Sequence, residues 1–313
     1  MLAPAPLQTA HLRRSNSQDA RETGVSQMFR CRSGCYTGDT KNASNTGDTV
    51  SQFSSRYGSW AVVAGASEGL GAAFARQLAA RQMNLLLIAR QADLLSRVSE
   101  DIRHRHDVEV RCLVQDLAGT GLAQVLQEAT AGLEVGVVIY NAAYVPTGRF
   151  LDADPEDLEK LVRVNVQGPV TMIRALAPAM CERNKGAVVL MSSLAGMQGV
   201  PRIAGYAASK AFNSILAEAL WAELGKHNVD VIAVSAGAMP TPGFERNFKK
   251  GAPGMLDPVA VADRTLKALG RGPHFIPGLI NRIFATISTR LLSRRAAIYL
   301  MGTSTRHLDR GPV

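Results

Sequence analysis

The sequence predicts an α/β fold, a single doubly wound, mostly parallel seven-stranded sheet with helices on both faces. Three observations carry this. Seven short apolar runs recur at 60–64, 84–89, 109–114, 135–139, 186–192, 229–235 and 273–276. Segments of helical spacing lie between them, the clearest at 69–82, 154–181 and 205–226. A glycine-rich turn, Gly65 to Gly71, follows the first run and opens the first helix. Parallel strands cannot be joined by tight hairpins and need helical crossovers, so this alternation is the signature of a parallel sheet. It continues to about residue 276 without an internal repeat, and no second domain is expected.

Three zones follow. Residues 1–55 are rich in Ser, Thr, Gly, Asn and Arg with little apolar periodicity, and are expected to be disordered. A transit peptide fits poorly, because Asp19 and Glu22 interrupt it; an unused upstream extension, with Met28 as a later start, is the other reading. Residues 56–278 are expected to form a single α/β domain, and 279–313 a basic C-terminal helix and tail. The net charge of +9 is uneven: residues 58–244 carry 16 basic and 18 acidic groups, and residues 245–313 carry 12 and 4. The body is near neutral, which argues against a nucleic-acid partner. Four cysteines (Cys31, Cys35, Cys112, Cys181) lack framework spacing, so a reducing, cytoplasmic setting and no metal site are expected. No apolar run is long enough to span a membrane.

The chemistry-bearing residues come in order. Gly65-Ala66-Ser67-Glu68-Gly69-Leu70-Gly71 sits where glycines let backbone approach a pyrophosphate at free helix-start N–H groups. The second strand ends Ala89-Arg90, where an acidic residue would bind a ribose hydroxyl; a guanidinium instead accepts a 2′-phosphate, which favours NADP(H) over NAD(H). Asp116-Leu117 follows the third strand, with Asp116 either meeting the adenine or capping a helix. Asn141-Ala142-Ala143 follows the fourth and is placed to tie neighbouring strands. Tyr206 and Lys210 stand four residues apart on one helix face, with Ser193 thirteen residues upstream. A lysine cation beside a phenol favours the phenolate and is expected to lower the Tyr206 pKa, arranging a proton relay for a carbonyl or alcohol oxygen.

Together these residues resemble the short-chain dehydrogenase/reductase family over roughly 58–245. The family's nucleotide turn reads here as Ala64-Gly65 through Gly71, its Asn-Asn-Ala-Gly as Tyr140-Asn141-Ala142-Ala143, and its Tyr-x-x-x-Lys as Tyr206 and Lys210. Its active-site asparagine matches Asn165 and its serine Ser193, with Ser192 the alternative register. Its Pro-Gly segment reads Ala236-Gly237, followed by Met239 and Thr241 near the nicotinamide carboxamide. Ala64, Ala143 and Ala236 depart from the pattern, which puts loop geometry rather than reaction type in question. The resemblance implies a Rossmann-type fold and hydride transfer with Tyr206 as general acid/base, Ser193 holding the substrate oxygen, Lys210 holding the ribose and Asn165 supporting a water relay. It is strongest to the 3-ketoacyl and 17β-hydroxysteroid reductase branch, and implies pairing of copies, as dimer or tetramer, through the helix bearing Phe212, Leu216 and Trp221. The competing reading is a non-catalytic NADP-binding sensor or scaffold, since fold does not fix function.

Beyond the body, Phe244 to Leu256 is expected to form a mobile lid hinged at Gly251 and Gly254, with Phe248 and Met255 suggesting an apolar substrate. Ile280, Ile283, Phe284, Ile287, Leu291 and Leu292 recur at helical spacing with Arg282, Arg290, Arg294 and Arg295. Two readings are open: a substrate-side helix packed on the body, or a peripheral membrane helix.

Overall fold

Strands β1 (Trp60–Ala64), β2 (Asn84–Ala89), β3 (Val110–Val114), β4 (Val135–Tyr140), β5 (Gly186–Ser193), β6 (Val229–Ala236) and β7 (His274–Phe275) coincide with the seven apolar runs to within two residues at each end. In the computed structural model, which describes residues 53–247 and 254–308, they form one parallel sheet of order β3-β2-β1-β4-β5-β6-β7. Expectations for residues 1–52, including Met28, Cys31 and Cys35, and for Phe248 and Gly251, fall outside the described residues.

The strands are apolar on both sides because helices cover both faces. Ala61, Val63, Leu85 and Leu87 pack toward Phe74, Leu78 and Ile102 on helices α1 (Gly69–Ala79) and α2 (Ala92–Arg105). Their strand neighbours Trp60, Val62, Leu86 and Ile88 pack on the other face, toward Leu126 and Leu176 on α3 (Leu122–Thr130) and α5 (Gly168–Glu182). Chain order reverses between β1 and β4, which opens a crevice at their C-terminal ends.

Three boundaries differ from the sequence expectation. Residues 53–57 are helical, so the last three residues of the segment read as disordered are ordered. Tyr57, 3% exposed, donates to Asp230 at 2.7 Å, and Phe53 packs edge-on against its ring. The single helix expected over 154–181 is α4 (Pro155–Val162), one π-helical turn (Arg163–Gln167) and α5. The buried Tyr140 hydroxyl donates to the Val164 carbonyl at 2.6 Å, and it can reach in because Gly168 has no Cβ, which would lie 2.0 Å from that oxygen. A side chain entering the helical ladder is a recognised cause of such an interruption.

The third difference is C-terminal. After α6 (Ala204–Leu224), α7 (Pro242–Asn247) and α8 (Pro258–Ala268), the chain forms α9 (Leu279–Thr286), a π turn to Leu291, and α10 (Arg294–Ser304). The segment packs on the body as one reading expected. However, its fully buried residues are Asn281, Ala285 and Ser288; Phe284 and Leu292 are half-buried, and Ile280, Ile283, Ile287 and Leu291 face outward. α10 docks on the loop between β5 and α6: Arg294 donates to the Met197 carbonyl at 3.1 Å and Thr305 to that of Pro201 at 3.0 Å.

Candidate active site

The β1–α1 turn is built by glycines that nothing else can replace. Gly65 has φ +79°, and a Cβ there would lie 2.7 Å from Ala142 N. A Cβ on Gly71 would lie 1.8 Å from the Gly65 carbonyl oxygen, which accepts a hydrogen bond from Asn141 Nδ2 at 3.1 Å. Glu68 holds the N-cap position of α1, but its side chain makes no capping bond, so the first-turn N–H groups have no carboxylate cap. Thr241 stands over Gly69, 3.0 Å from where its Cβ would be. This cradle and uncapped helix start fit a dinucleotide pyrophosphate.

The other expected cofactor residues divide by side chain. Ser67, Glu68 and Gly69 are half-buried around the turn, and Arg90 is exposed at the end of β2. Leu70 and Leu117 are buried in the core, and the half-buried Met239 packs against it. Asp116 Oδ1 accepts from Ala118 N at 3.0 Å in a local turn, and not as the helix cap expected, since α3 is capped at Gly121. Gly237 lies against Asn281, whose amide occupies the space a Cβ would fill at 2.8 Å.

The proton-moving residues converge from three elements. Ser193, at the end of β5, is hydrogen-bonded to the Tyr206 phenol, and its Oγ accepts from Ala195 N at 3.2 Å. Ser192, one residue away, points to the opposite face and donates to the Lys210 carbonyl at 2.7 Å. Ser193, and not Ser192, is therefore the serine at the Tyr206 phenol. Lys210, 2% exposed, donates from Nζ to the Met191 carbonyl at 2.7 Å and lies 5.6 Å from the Tyr206 ring centroid.

The electrostatics differ from the expectation that Lys210 lowers the Tyr206 pKa. Burial raises the phenol above its ordinary range, and the Ser193 hydrogen bond pulls the other way. Burial also depresses Lys210 to about 8. The Lys210 Nζ is bonded to the Met191 carbonyl, 5.6 Å from the Tyr206 ring centroid, and burial sets the direction of the Tyr206 shift.

Asn165 lies in the π turn, 1% exposed, and its side chain is fully engaged. Its Oδ1 accepts from Tyr144 N at 2.8 Å, and its Nδ2 donates to Tyr144 O at 2.9 Å and Ser209 Oγ at 3.0 Å. Ser209 donates onward to the Tyr206 carbonyl at 2.8 Å. Asn165 thus clamps the segment after β4 to the Tyr206 helix. Sequence reasoning missed Ser209, although its place three residues after Tyr206 was a usable signal. It also missed Tyr144 and Asn281, for which no local signal exists. The Tyr144 hydroxyl bonds to Asp157, and that bond, with a smaller part from burial, raises its pKa against the pull of the Arg90 charge.

A glycine-cradled helix start facing a serine–tyrosine–lysine cluster across the sheet crevice defines a short-chain dehydrogenase/reductase. A family model described as short chain dehydrogenase matches residues 59–251, and the chain belongs to this family of oxidoreductases acting on CH–OH groups with a nicotinamide cofactor. It is similar to the 7beta-hydroxysteroid dehydrogenase of Clostridium sardiniense, 33% identical over 233 residues (74% of this chain, 89% of the relative). It is also similar to the very-long-chain 3-oxoacyl-CoA reductase of Mus musculus, 34% identical over 183 residues (57% of this chain, 59% of the relative). Among solved structures, one from work on 7beta-hydroxysteroid dehydrogenase stereoselectivity superposes with TM-score 0.75 at 28% identity, covering 80% of this chain and 98% of that one. A short-chain dehydrogenase from Sphingobium yanoikuyae in complex with NADPH gives 0.66 at 27%, covering 74% and 93%.

Proposed function

We propose that this chain is an NADP(H)-dependent oxidoreductase that reduces a ketone, or oxidises the matching alcohol, on an apolar or acyl-type substrate. The observation that carries the chemistry is the Ser193–Tyr206–Lys210 cluster at the mouth of the crevice. NADP(H), when bound, supplies or accepts the hydride. Ser193 Oγ donates to the substrate carbonyl oxygen. Tyr206 gives its proton to that oxygen as the carbon is reduced, and takes it back in the reverse direction. Lys210 would hold the nicotinamide ribose and favour the phenolate. The Asn165 side chain ties the segment after β4 to the Tyr206 helix.

Arg90 in place of an acidic residue supports NADP(H), as does the NADPH complex of a relative. The names of the relatives, a steroid dehydrogenase and a long-chain acyl reductase, support an apolar substrate. Phe212 and Trp221 are exposed on α6 beside Ile215, which supports pairing of two copies there; Leu216 packs on the core instead.

The test is fluorescence titration with NADPH and NADH, followed by turnover on ketones and 3-ketoacyl thioesters. NADPH should bind the more tightly, and Arg90→Asp should weaken it ~10–100-fold, the value of a charge-assisted phosphate contact. Tyr206→Phe should keep NADPH affinity and lose ~10²–10⁴ in rate. Retained turnover in Tyr206→Phe overturns the mechanism, and binding without turnover on any carbonyl returns weight to the sensor reading.

A further inference from the structure

The helical segment Leu279–Leu291 turns its apolar face away from the protein. Asn281, Ala285 and Ser288 are buried against the body. Leu279, Ile280, Ile283, Ile287 and Leu291 are 65%, 61%, 50%, 40% and 73% exposed. A helix held only by packing buries its apolar stripe; this one fully buries only small and polar residues, half-buries Phe284, and leaves five large aliphatic side chains exposed. The exposed stripe is flanked by Arg282, Arg290 and, at the start of α10, Arg294 and Arg295, all exposed. From residue 264 to 308 the chain holds eight Lys and Arg and no Asp or Glu.

We propose that this face docks on an anionic membrane surface, with the aliphatic stripe in the acyl boundary and the arginines at the headgroups. Charge selects this occupant. A two-fold contact through the same face would set the acid-free segment against its own copy, and like charges repel. A lipid surface offers both the apolar layer and the counter-charge. The helix does not span the bilayer, and among the described residues no helix is long and apolar enough to do so.

The buried side of the same helix reaches the site. Asn281 donates to the carbonyls of Gly254 and Pro277 at 3.2 and 3.0 Å and fills the space beside Gly237. Only the thickness of one helix, ~10 Å, separates the lipid-facing stripe from the loop that carries Thr241. A membrane-dissolved substrate would therefore arrive at the substrate side of the crevice. This last link rests on the function proposed above, whereas vesicle binding does not, because a chain without turnover would still sediment.

The experiment is co-sedimentation of the full chain with phosphatidylcholine vesicles and with vesicles that also contain phosphatidylglycerol, at low and high salt. The wild type should sediment with the anionic vesicles, less with neutral ones, and less as salt rises. The Ile283→Glu/Ile287→Glu double variant should partition at least ~10-fold more weakly. Its NADPH affinity and circular dichroism should be unchanged, which establishes that it folds. Equal sedimentation of variant and wild type overturns the proposal, since any binding through residues 1–52 would persist in the variant. So does absence of wild-type binding at low salt. Sedimentation velocity adds a third overturning result: if the double variant breaks an oligomer while neither protein binds vesicles, the face belongs to a second copy.

Discussion

Replacing Gly71 by alanine tests the cofactor cradle where the geometry is tightest. The added Cβ would lie 1.8 Å from the Gly65 carbonyl oxygen, 2.7 Å from its carbon and 2.8 Å from Asn141 Nδ2. Carbon–oxygen contacts settle near ~3.3 Å, so turn and helix must separate by ~1.5 Å. The carbonyl cannot swing aside freely, because it accepts from Asn141 and its residue is held by Gly65 N donating to the Ile88 carbonyl at 2.8 Å. Alanine gains up to ~1 kcal/mol over glycine in a helix. Overpacking of this kind costs ~1–3 kcal/mol or more. The net expectation is a loss of ~1–2 kcal/mol in folding stability. NADPH affinity should fall at least ~10-fold, because the helix-start N–H groups move away from the pyrophosphate. Gly225→Ala is the control: it has right-handed φ −58° and nothing within 4 Å of the new Cβ, so it should leave NADPH affinity unchanged and raise stability by up to ~1 kcal/mol. Urea unfolding and NADPH fluorescence titration read both. Equal midpoints and affinities for the two variants would refute the reading of the cradle.

Two further predictions concern the proton-moving cluster and its support. Asn165→Ala removes three hydrogen bonds and strands the Tyr144 N–H and C=O, so it should cost ~2–4 kcal/mol in urea unfolding; a loss under ~0.5 kcal/mol would mean that the clamp carries no load. Lys210 has a folded pKa of about 8, below its unfolded value, so its neutral form favours folding. The stabilisation is present above ~10.5 and is lost as pH falls to about 8, with a slope of ~1.4 kcal/mol per pH unit between them. Wild-type stability relative to Lys210→Met should therefore rise with pH from about 8 to 10 in the cofactor-free protein, and parallel curves would show that the lysine is not buried as described.

Local chemistry determined much of this protein. The seven strands were legible because buried parallel strands are continuous apolar runs, and the β1–α1 turn because only glycine tolerates φ +79° at Gly65 and the close approach at Gly71. The spacing of Tyr206 and Lys210 put them on one helix face before any tertiary contact was known. What tertiary structure decided depends on partners remote in sequence. The π turn at Asn165 follows from Tyr140, 24 residues before Val164, reaching into the helix. Ser193 and not Ser192 faces Tyr206 because of how β5 is rotated in the sheet, which alternation alone leaves open. The raised Tyr206 pKa reflects burial, opposed by the Ser193 hydrogen bond, and spacing on a helix gives neither. The C-terminal segment is the sharpest case. Its periodicity identified an apolar stripe but not which way the stripe turns. The fit of Asn281 against Gly237 and Gly254 fixes the helix's rotation and sends the stripe outward.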